Sequence, residues 1–291
     1  MKILIIGNGF IAKSIIQRLE TEGHQLLIFS RSSYKEIHSR QVLGDIFLFE
    51  DFLKTLHWQP QVIINTAWIT SQAVYRNDPS NRKYAQFTSD LARFLVNTDV
   101  EHYIVLGTCS EYGLQSGPST AGLTKLSPND LYSQEKVKAF KSSQKFLQGS
   151  KVRMTWARIF QPYGPQQDAN RLIPYLVRSL RNGEKIQLSD TTSIHDWITS
   201  SDIASAISWL IENEVPTEVD VGTTIGYSNV EVLRHLEDLL SNTTQWAQYS
   251  FNFSGINKVS IAGKESPLFK LGWRPKYNLN AGLEHILKSS Q

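Results

Sequence analysis

The sequence predicts an α/β fold: a doubly wound parallel sheet with helices on both faces, joined to a smaller mixed α/β lobe. Three observations support this prediction. A strand, a glycine turn and a helix open the chain, aliphatic runs then alternate with helical patterns, and this rhythm changes after residue 161. We expect residues 1–161 and 196–215 to form the large domain, and residues 162–195 and 216–291 to form the lobe.

The first strand, Lys2–Ile6, is a continuous aliphatic run, as expected of a buried parallel strand. It leads into a G-x-G-x-x-A turn at residues 7–12 and then into a helical pattern. In that context Gly7 allows the tight turn, Gly9 lets a pyrophosphate approach the backbone, and Ala12 packs the helix close to the strand. The helix N-terminus presents free amides to phosphates. An ordinary turn with two glycines is the alternative, but the context favours a dinucleotide-binding (Rossmann) domain.

The second strand, Leu26–Phe29, ends in Ser30-Arg31 rather than in an acid. NAD-binding domains usually place Asp or Glu here for the ribose 2′-hydroxyl, whereas an arginine suits a 2′-phosphate. No acidic residue occurs between Glu22 and Glu36. The pattern therefore favours NADP(H), with NAD(H) as the less favoured cofactor and a solvated loop arginine as the competing interpretation.

Further strands are predicted at 42–46, 62–67, 103–106 and 154–157, with a polar helix from residue 79 to about 97. Asp45 ends the first of these strands, near the expected adenine pocket, although a turn aspartate fits equally well. Small residues at the end of the next strand, Thr66 and Ala67, leave room for a cofactor. Thr108 follows the strand at 103–106, at the sheet edge where open α/β sheets bind ligands.

Tyr132 and Lys136 are four residues apart in a predicted helix that Asp130 would cap. This spacing puts both side chains on one helix face. A phenol titrates near ~10, and a neighbouring ammonium favours the phenolate and improves the group as an acid–base catalyst. A surface Tyr and Lys that share a face by chance are the alternative, which the other motifs argue against.

The second half of the chain predicts shorter elements. Helices are expected at 172–181, from 202, at 229–240 and from 280; strands at 185–188 and 219–222; and a loop at 241–266.

Composition narrows the possible functions. The 291 residues carry a formal charge of +3 without a basic cluster, which argues against a nucleic-acid partner. No apolar stretch approaches a bilayer span, and the N-terminus does not resemble a signal peptide. The single cysteine, Cys109, fits a reducing compartment, and no residue cluster has metal-ligand spacing. We therefore expect a cytoplasmic protein without metal, membrane or nucleic-acid partner.

Together these motifs resemble the extended short-chain dehydrogenases/reductases, which include nucleotide-sugar epimerases, dehydratases and ketoreductases. The resemblance rests on the glycine turn, Thr108 four residues before Tyr112, and Tyr132-x-x-x-Lys136. It extends through the segments 158–165, 195–197 and 271–275. It implies that Thr108, Tyr132 and Lys136 form a catalytic triad in which Lys136 holds the nicotinamide ribose and lowers the Tyr132 pKa. A homodimer is also implied, with the helices after residues 79 and 130 at the interface.

The resemblance and the motifs give two sets of candidate binding residues. Cofactor residues are Gly7, Gly9, Phe10, Ile11, Ser30, Arg31, Asp45, Ile46, Thr66, Ala67, Tyr132, Lys136 and Ile159. Substrate residues are Thr108, Gln161, Arg171 and His195.

The chain departs from the family pattern at two places that concern function. Sugar 4,6-dehydratases carry Asp-Glu after the triad threonine, but here Cys109 and Ser110 follow, so dehydration is not expected. An arginine that clamps the substrate diphosphate is replaced by His195, which removes a bidentate donor. The missing charge could come from Arg171, Lys258 or Lys264.

These observations predict an NADP(H)-dependent reductase of a keto-sugar, most plausibly nucleotide-linked. One alternative is a nucleotide-sugar 4-epimerase that holds NAD tightly. Another, of a different class, is a non-catalytic NADP(H)-binding regulator on the same fold.

Overall fold

The computed structural model describes residues 1–71, 74–240, 249–251 and 258–289. The first half contains β1 (Lys2–Ile6), α1 (Phe10–Thr21), β2 (Gln25–Ser30), β3 (Arg40–Leu43), α2 (Phe49–Leu53), β4 (Val62–Asn65), α3 (Asn81–Leu95), β5 (His102–Thr108), α4 (Leu131–Leu147) and β6 (Arg153–Ile159). The second half contains β7 (Gln161–Tyr163), α5 (Leu172–Asn182), β8 (Ile186–Leu188), β9 (Ile194–Thr199), α6 (Ser200–Glu212), β10 (Glu218–Val221), β11 (Gly226–Ser228), α7 (Asn229–Leu240), β12 (Tyr249–Phe251), β13 (Val259–Ser260), α8 (Pro267–Lys270) and α9 (Leu279–Ser289).

Seven parallel strands form the large sheet, in the order β10-β6-β5-β4-β1-β2-β3. The order reverses between β1 and β4, which is the point where doubly wound sheets bind their ligands. This arrangement confirms the predicted fold class.

Alternation along β1 explains why both faces of the sheet are covered. Ile3 and Ile5 belong to one hydrophobic core, with residues of α1 and α6, while Leu4 and Ile6 belong to another, with residues of α3 and α4. All four side chains are fully buried. A strand buried on both faces must read as a continuous aliphatic run, which is the pattern that the sequence shows.

The lobe has its own small sheets and core. Strands β11, β9 and β13 pair in that order, β7 pairs with the same β9, and β12 pairs with β8. Leu176 of α5, Leu233 of α7 and Leu283 of α9 meet in a third hydrophobic cluster. The lobe is therefore stabilised by a hydrophobic core that is separate from the two cores of the large sheet.

Two sequence expectations differ from the structure. Strand β10 pairs with β6 at the end of the large sheet, although everything after residue 216 was assigned to the lobe. The segment 241–266, expected to be a loop, contains β12 and β13, while its residues 241–248 and 252–257 lie outside the described residues. The strand at β10 was recognised, but its pairing with β6 depends on a contact between distant residues. Strands β12 and β13, with three and two residues, carry too little periodicity to be recognised. The division into two domains otherwise stays a prediction.

None of the described helices has the length and apolar character needed to cross a bilayer.

Candidate active site

The glycine turn lies against the end of β4. Gly7 has a φ of +100°, and a Cβ there would lie 2.6 Å from the Thr66 hydroxyl oxygen and 3.3 Å from the Ala67 nitrogen. Only glycine fits this position. Gly9 caps α1, and a Cβ at that residue would meet nothing within 4 Å. The structure thus brings Gly7, Gly9, Thr66 and Ala67 together beside the first turn of α1, where Phe10 begins the helix.

The second predicted group surrounds the ends of β2 and β3. Ser30 is buried and its hydroxyl donates to the Ser32 carbonyl at 2.8 Å, while Arg31 is exposed. Burial raises the pKa of Tyr84; the Arg31 guanidinium acts to lower that pKa and the Asp45 carboxylate to raise it. Arg31 and Asp45 therefore lie close to the same ring. Of the other predicted cofactor residues, Ile11 is half-buried in α1, Ile46 is buried after β3, and Ile159 pairs in register with Thr108.

The three predicted triad residues all lie against the end of β5, where Tyr132 forms a hydrogen bond with Thr108 and Lys136 bonds the strand backbone. Thr108 is the last residue of β5, and Tyr132 lies in the first turn of α4. Asp130 caps that helix as predicted, since its carboxylate accepts from the Ser133 amide at 2.8 Å. The buried ammonium of Lys136 donates to the Leu106 carbonyl of β5 at 2.6 Å, which ties the helix to the strand.

The electrostatics of the pair differ from the expectation. Burial raises the pKa of Tyr132, and a hydrogen bond with Thr108 only partly opposes that effect. Burial lowers the pKa of Lys136 to about 7, against the Glu111 charge, which raises it. We predicted that Lys136 would lower the Tyr132 pKa, yet the pKa is above its ordinary value. The physical reason is that both groups lose water, and desolvation disfavours each charged form.

Aromatic side chains that the sequence did not single out enclose the triad. The Trp68 ring centre lies 3.8 Å from the Lys136 ammonium, and the Tyr75 ring meets the Tyr132 ring edge-on at 5.0 Å. The backbone carbonyl of Arg76 accepts from the Tyr132 amide at 2.8 Å. Trp68, Tyr75 and Arg76 follow β4 in a stretch without periodicity, so no local sequence signal could have identified them.

The substrate candidates line the neighbouring strands of the lobe. Gln161 begins β7 and is half-buried, and its strand pairs with β9, which carries His195. Burial lowers the pKa of His195, and the charges of Lys258 and Arg76 lower it further. His195 is therefore a neutral imidazole at pH 7, not a stand-in for a permanently charged arginine.

Of the three proposed sources of positive charge, two lie near the site. The Lys258 charge lowers the pKa of His195. It also acts to lower the pKa of Cys109, but burial has the larger effect and raises that pKa. Arg171 donates from Nη2 to the Thr70 carbonyl at 3.0 Å, and its guanidinium lies 5.3 Å from the Tyr75 ring centre. Lys264 is exposed.

A parallel sheet of this order, a glycine turn at its topological switch point, and a threonine–tyrosine–lysine group beside that turn define a nucleotide-cofactor-dependent enzyme of the oxidoreductase type. The chain belongs to the NAD-dependent epimerase/dehydratase family, whose family model matches residues 3–222. This membership confirms the resemblance to the extended short-chain dehydrogenases/reductases and the predicted enzyme class.

Individual relatives are distant. CDP-abequose synthase of Salmonella typhimurium is 31% identical over 143 residues, covering 45% of this chain and 46% of the relative. UDP-glucose 4-epimerase of Thermotoga maritima, solved with UDP-glucose, has a TM-score of 0.86 at 20% identity, covering 99% and 98% of the two chains. dTDP-glucose 4,6-dehydratase of Bacillus anthracis, solved with NAD, has a TM-score of 0.83 at 23% identity, covering 99% and 96%. At these identities the solved structures support the fold alone.

Proposed function

We propose that this protein is an NADP(H)-dependent reductase of a nucleotide-linked keto-sugar. The observation that carries the proposal is the hydrogen bond between Tyr132 and Thr108 at the edge of the sheet, which places a phenol and a hydroxyl side by side. Burial raises the pKa of Tyr132, so at neutral pH the residue is a protonated phenol beside the Thr108 hydroxyl. A protonated phenol suits a reductase, which must give a proton to a carbonyl oxygen, better than an enzyme that first removes a proton from an alcohol.

The cofactor, when bound, supplies the hydride that goes to the carbonyl carbon of the sugar. Thr108 donates a hydrogen bond to the carbonyl oxygen and orients it. Tyr132 transfers its phenolic proton to that oxygen as the carbon is reduced, and the product is an alcohol. Lys136 faces the same space from the next turn of α4, where its ammonium can bond the ribose and stabilise the phenolate that remains.

The glycine turn fits a dinucleotide. The space beside Gly9 is open, and the N-terminus of α1 points its free amides towards it. Arg31 supports NADP(H) because it is exposed directly after β2, at the position where NAD-binding domains usually carry an acid. The adenine and nicotinamide sides of the cofactor site would be completed by Asp45, Ile46, Thr66, Ala67 and Ile159.

A nucleotide-linked substrate is supported by the positive charges in the cleft. Lys258 lies near His195 and Cys109, and the guanidinium groups of Arg76 and Arg171 each lie 5.3 Å from the Tyr75 ring centre. We propose that Lys258 replaces the missing arginine as a partner of the diphosphate. Gln161 and His195 would then donate to the sugar or to the phosphate oxygens.

A second candidate function is a nucleotide-sugar 4-epimerase that retains NAD. It is favoured by membership of the NAD-dependent epimerase/dehydratase family, whose model matches residues 3–222. Experiments on the purified protein distinguish the reductase from the epimerase. Bound ligands are released and identified by mass, and NADPH oxidation is followed with a nucleotide-linked keto-sugar. Tightly bound NAD together with interconversion of 4-epimers, without net NADPH oxidation, would overturn the reductase proposal.

We also propose a homodimer through α3 and α4. Phe94 of α3 and Phe146 of α4 are 41% and 38% exposed on the outer faces of these helices. Such side chains are more favourably placed against a second copy than in water. Light scattering that finds only monomer at micromolar concentration would contradict this.

The buried thiol Cys109 fits the reducing cytoplasm, which we propose as the compartment.

A further inference from the structure

Glu111 is a fully buried carboxylate in the short helical turn after β5, and the proposed reaction gives it no task. Its Oε1 accepts from the Thr108 amide at 2.8 Å and from the Trp156 indole at 2.9 Å. Its Oε2 accepts from Nε of Arg158 at 2.7 Å. The carboxylate thus joins the triad threonine to strand β6.

These bonds fix the conformation of Thr108. Thr108 and Glu111 form a capping box at the start of this turn. The Glu111 carboxylate accepts from the Thr108 amide, and the Thr108 hydroxyl accepts from the Ser110 amide at 3.2 Å. The Thr108 hydroxyl oxygen accepts from the backbone, and the same hydroxyl shares a hydrogen bond with Tyr132. The turn therefore holds the Thr108 hydroxyl beside the Tyr132 phenol, as the proposed reaction needs.

The space around Glu111 is filled. A Cβ at Gly107 would lie 2.2 Å from the Trp156 indole nitrogen and 2.8 Å from Oε1 of Glu111. The carboxylate and the indole therefore occupy all of the room beside the strand. A neutral residue of another shape would leave the Thr108 amide, the indole and the Arg158 guanidinium without their shared acceptor.

Glu111 also affects Lys136 through its charge. The Lys136 ammonium faces the Leu106 carbonyl and the Trp68 and Trp156 rings, and Tyr132 precedes it by one turn on the same helix. The Trp156 indole that donates to Glu111 lies with its ring 5.9 Å from the Lys136 ammonium, which places the carboxylate and the ammonium beside the same side chain. Glu111 is also the negative charge that raises the pKa of Lys136 against the effect of burial.

The other charges around Glu111 are those of its network. Arg158 pairs with it, and a second nitrogen of that guanidinium pairs with Glu218, whose side chain is 24% exposed. Tyr112 and Cys109 also lie within its field, and its charge acts to raise the pKa of each. Glu218 shares Arg158 with Glu111 but contacts neither Thr108 nor Lys136 through any described hydrogen bond.

We propose that Glu111 is a positioning residue of this enzyme: its carboxylate fixes the Thr108 backbone and keeps the ammonium charge on Lys136. The proposal rests on the proposed reductase function for its consequence on catalysis. The electrostatic effect of Glu111 on Lys136 does not depend on which substrate the enzyme binds.

The first test needs neither cofactor nor substrate. Lysine labelled with ¹³C at the ε carbon is followed by NMR through a pH titration, and the Lys136 signal is assigned with Lys136→Met. Glu111→Gln keeps the shape and removes the charge, so Lys136 should titrate at lower pH than in the wild type. Glu218→Gln is the matched control, because it disturbs Arg158 and leaves the Lys136 titration unchanged. An unshifted Lys136 titration in Glu111→Gln overturns the proposal.

The second test is the pH–rate profile of keto-sugar reduction. The alkaline limb should move to lower pH in Glu111→Gln, and turnover on that limb falls about tenfold per pH unit. A merely structural residue would lower turnover equally at every pH, and that result contradicts the proposal. If the wild type reduces no keto-sugar, the proposed function fails, whereas the NMR titration still decides the coupling.

Glu111→Gln leaves the Arg158 guanidinium buried with one partner, which could prevent folding. The double variant Glu111→Gln with Arg158→Met removes both buried charges. Arg158 is not among the charges that act on the Lys136 pKa, so the same titration applies. A downward shift in this variant supports the coupling, and an unchanged or upward one overturns it.

Discussion

The Lys136 ammonium lies 3.8 Å from the centre of the Trp68 ring, and the two side chains come from α4 and from the loop after β4. A cation over an indole face is stabilised in its charged form, by about 2 kcal/mol where the pair is desolvated. Trp68 therefore acts in the same direction as Glu111. The charge on Lys136 depends on two neighbours that approach it from different elements.

Replacing Trp68 with leucine should weaken the charged form of Lys136. We expect the alkaline limb of the pH–rate profile to move to lower pH, by up to about 1.5 units if the contact contributes about 2 kcal/mol. Trp58→Leu is the control, because that ring also lies over a lysine, Lys2, at 5.6 Å but far from the triad. Profiles that coincide for Trp68→Leu and the wild type would exclude this role.

Tyr132→Phe should remove the proton donor while leaving cofactor binding intact. General acid catalysis contributes about 10²–10⁴-fold, so turnover should fall at least a hundredfold. Tyr75→Phe deletes a hydroxyl from the adjacent ring and serves as the control. Lys136→Met should lower both cofactor affinity, measured by fluorescence titration, and turnover. Retention of most activity by Tyr132→Phe would refute the triad.

Arg31→Ala tests the cofactor preference. A charge-assisted contact contributes about 1.5–3 kcal/mol, so NADP(H) affinity should fall about tenfold or more while NAD(H) affinity stays the same. Lys35→Ala removes another exposed positive charge from the same loop and should change neither affinity by as much. Calorimetric titration of both cofactors provides the measurement. Tighter NAD than NADP binding by the wild type would favour the epimerase.

Lys258→Met tests the proposed diphosphate partner. The loss of this charge should raise KM for a nucleotide-linked substrate about tenfold, with kcat nearly unchanged, because the diphosphate is remote from the reacting carbon. Lys264→Met removes an exposed charge from the same part of the chain and is the matched control. Equal KM values for the two variants would show that Lys258 does not bind substrate.

His102 should make the fold sensitive to acid. Burial lowers its pKa to about 3, and the Arg153 charge acts in the same direction. The unfolded state, with a pKa near ~6.5, then binds more protons between those values, so stability falls as pH drops below 6.5. The loss should reach about 2 kcal/mol between pH 7 and pH 5.

The variant His102→Gln separates this effect from carboxylate titration. Arg153 donates to Nδ1 of His102, so Nε2 carries the proton and donates to the Thr155 hydroxyl at 2.8 Å. A glutamine amide can make the second bond without titrating. Urea unfolding at both pH values should show a smaller loss in the variant. Equal losses would mean that His102 does not contribute.

Features that depend on short sequence spacing were predictable. The motif that predicts the turn at Gly7 and Gly9 spans six consecutive residues, and the face shared by Tyr132 and Lys136 follows from helical geometry. The long helices and the buried strands also follow from their periodicity. In each case the sequence pattern and the structural contact span the same few residues.

Contacts between distant parts of the chain were not predictable in this way. Glu111 bonds Trp156 and Arg158, which are 45 and 47 residues away. Nothing in the periodicity of β6 indicates that its side chains bond a carboxylate. The raised pKa of Tyr132 has the same origin, since it follows from burial under Trp68 and Tyr75 rather than from the spacing to Lys136.

The position of β10 has a consequence for synthesis on the ribosome. The last strand of the large sheet is translated only after β7, α5, β8 and β9 of the lobe. Until residue 221 has left the exit tunnel, one edge of β6 has no strand to pair with, and unpaired edges are where nascent chains associate. A chain shortened before this point would expose the same edge permanently. A fragment that ends before β10 would therefore lack an edge strand of its own large sheet.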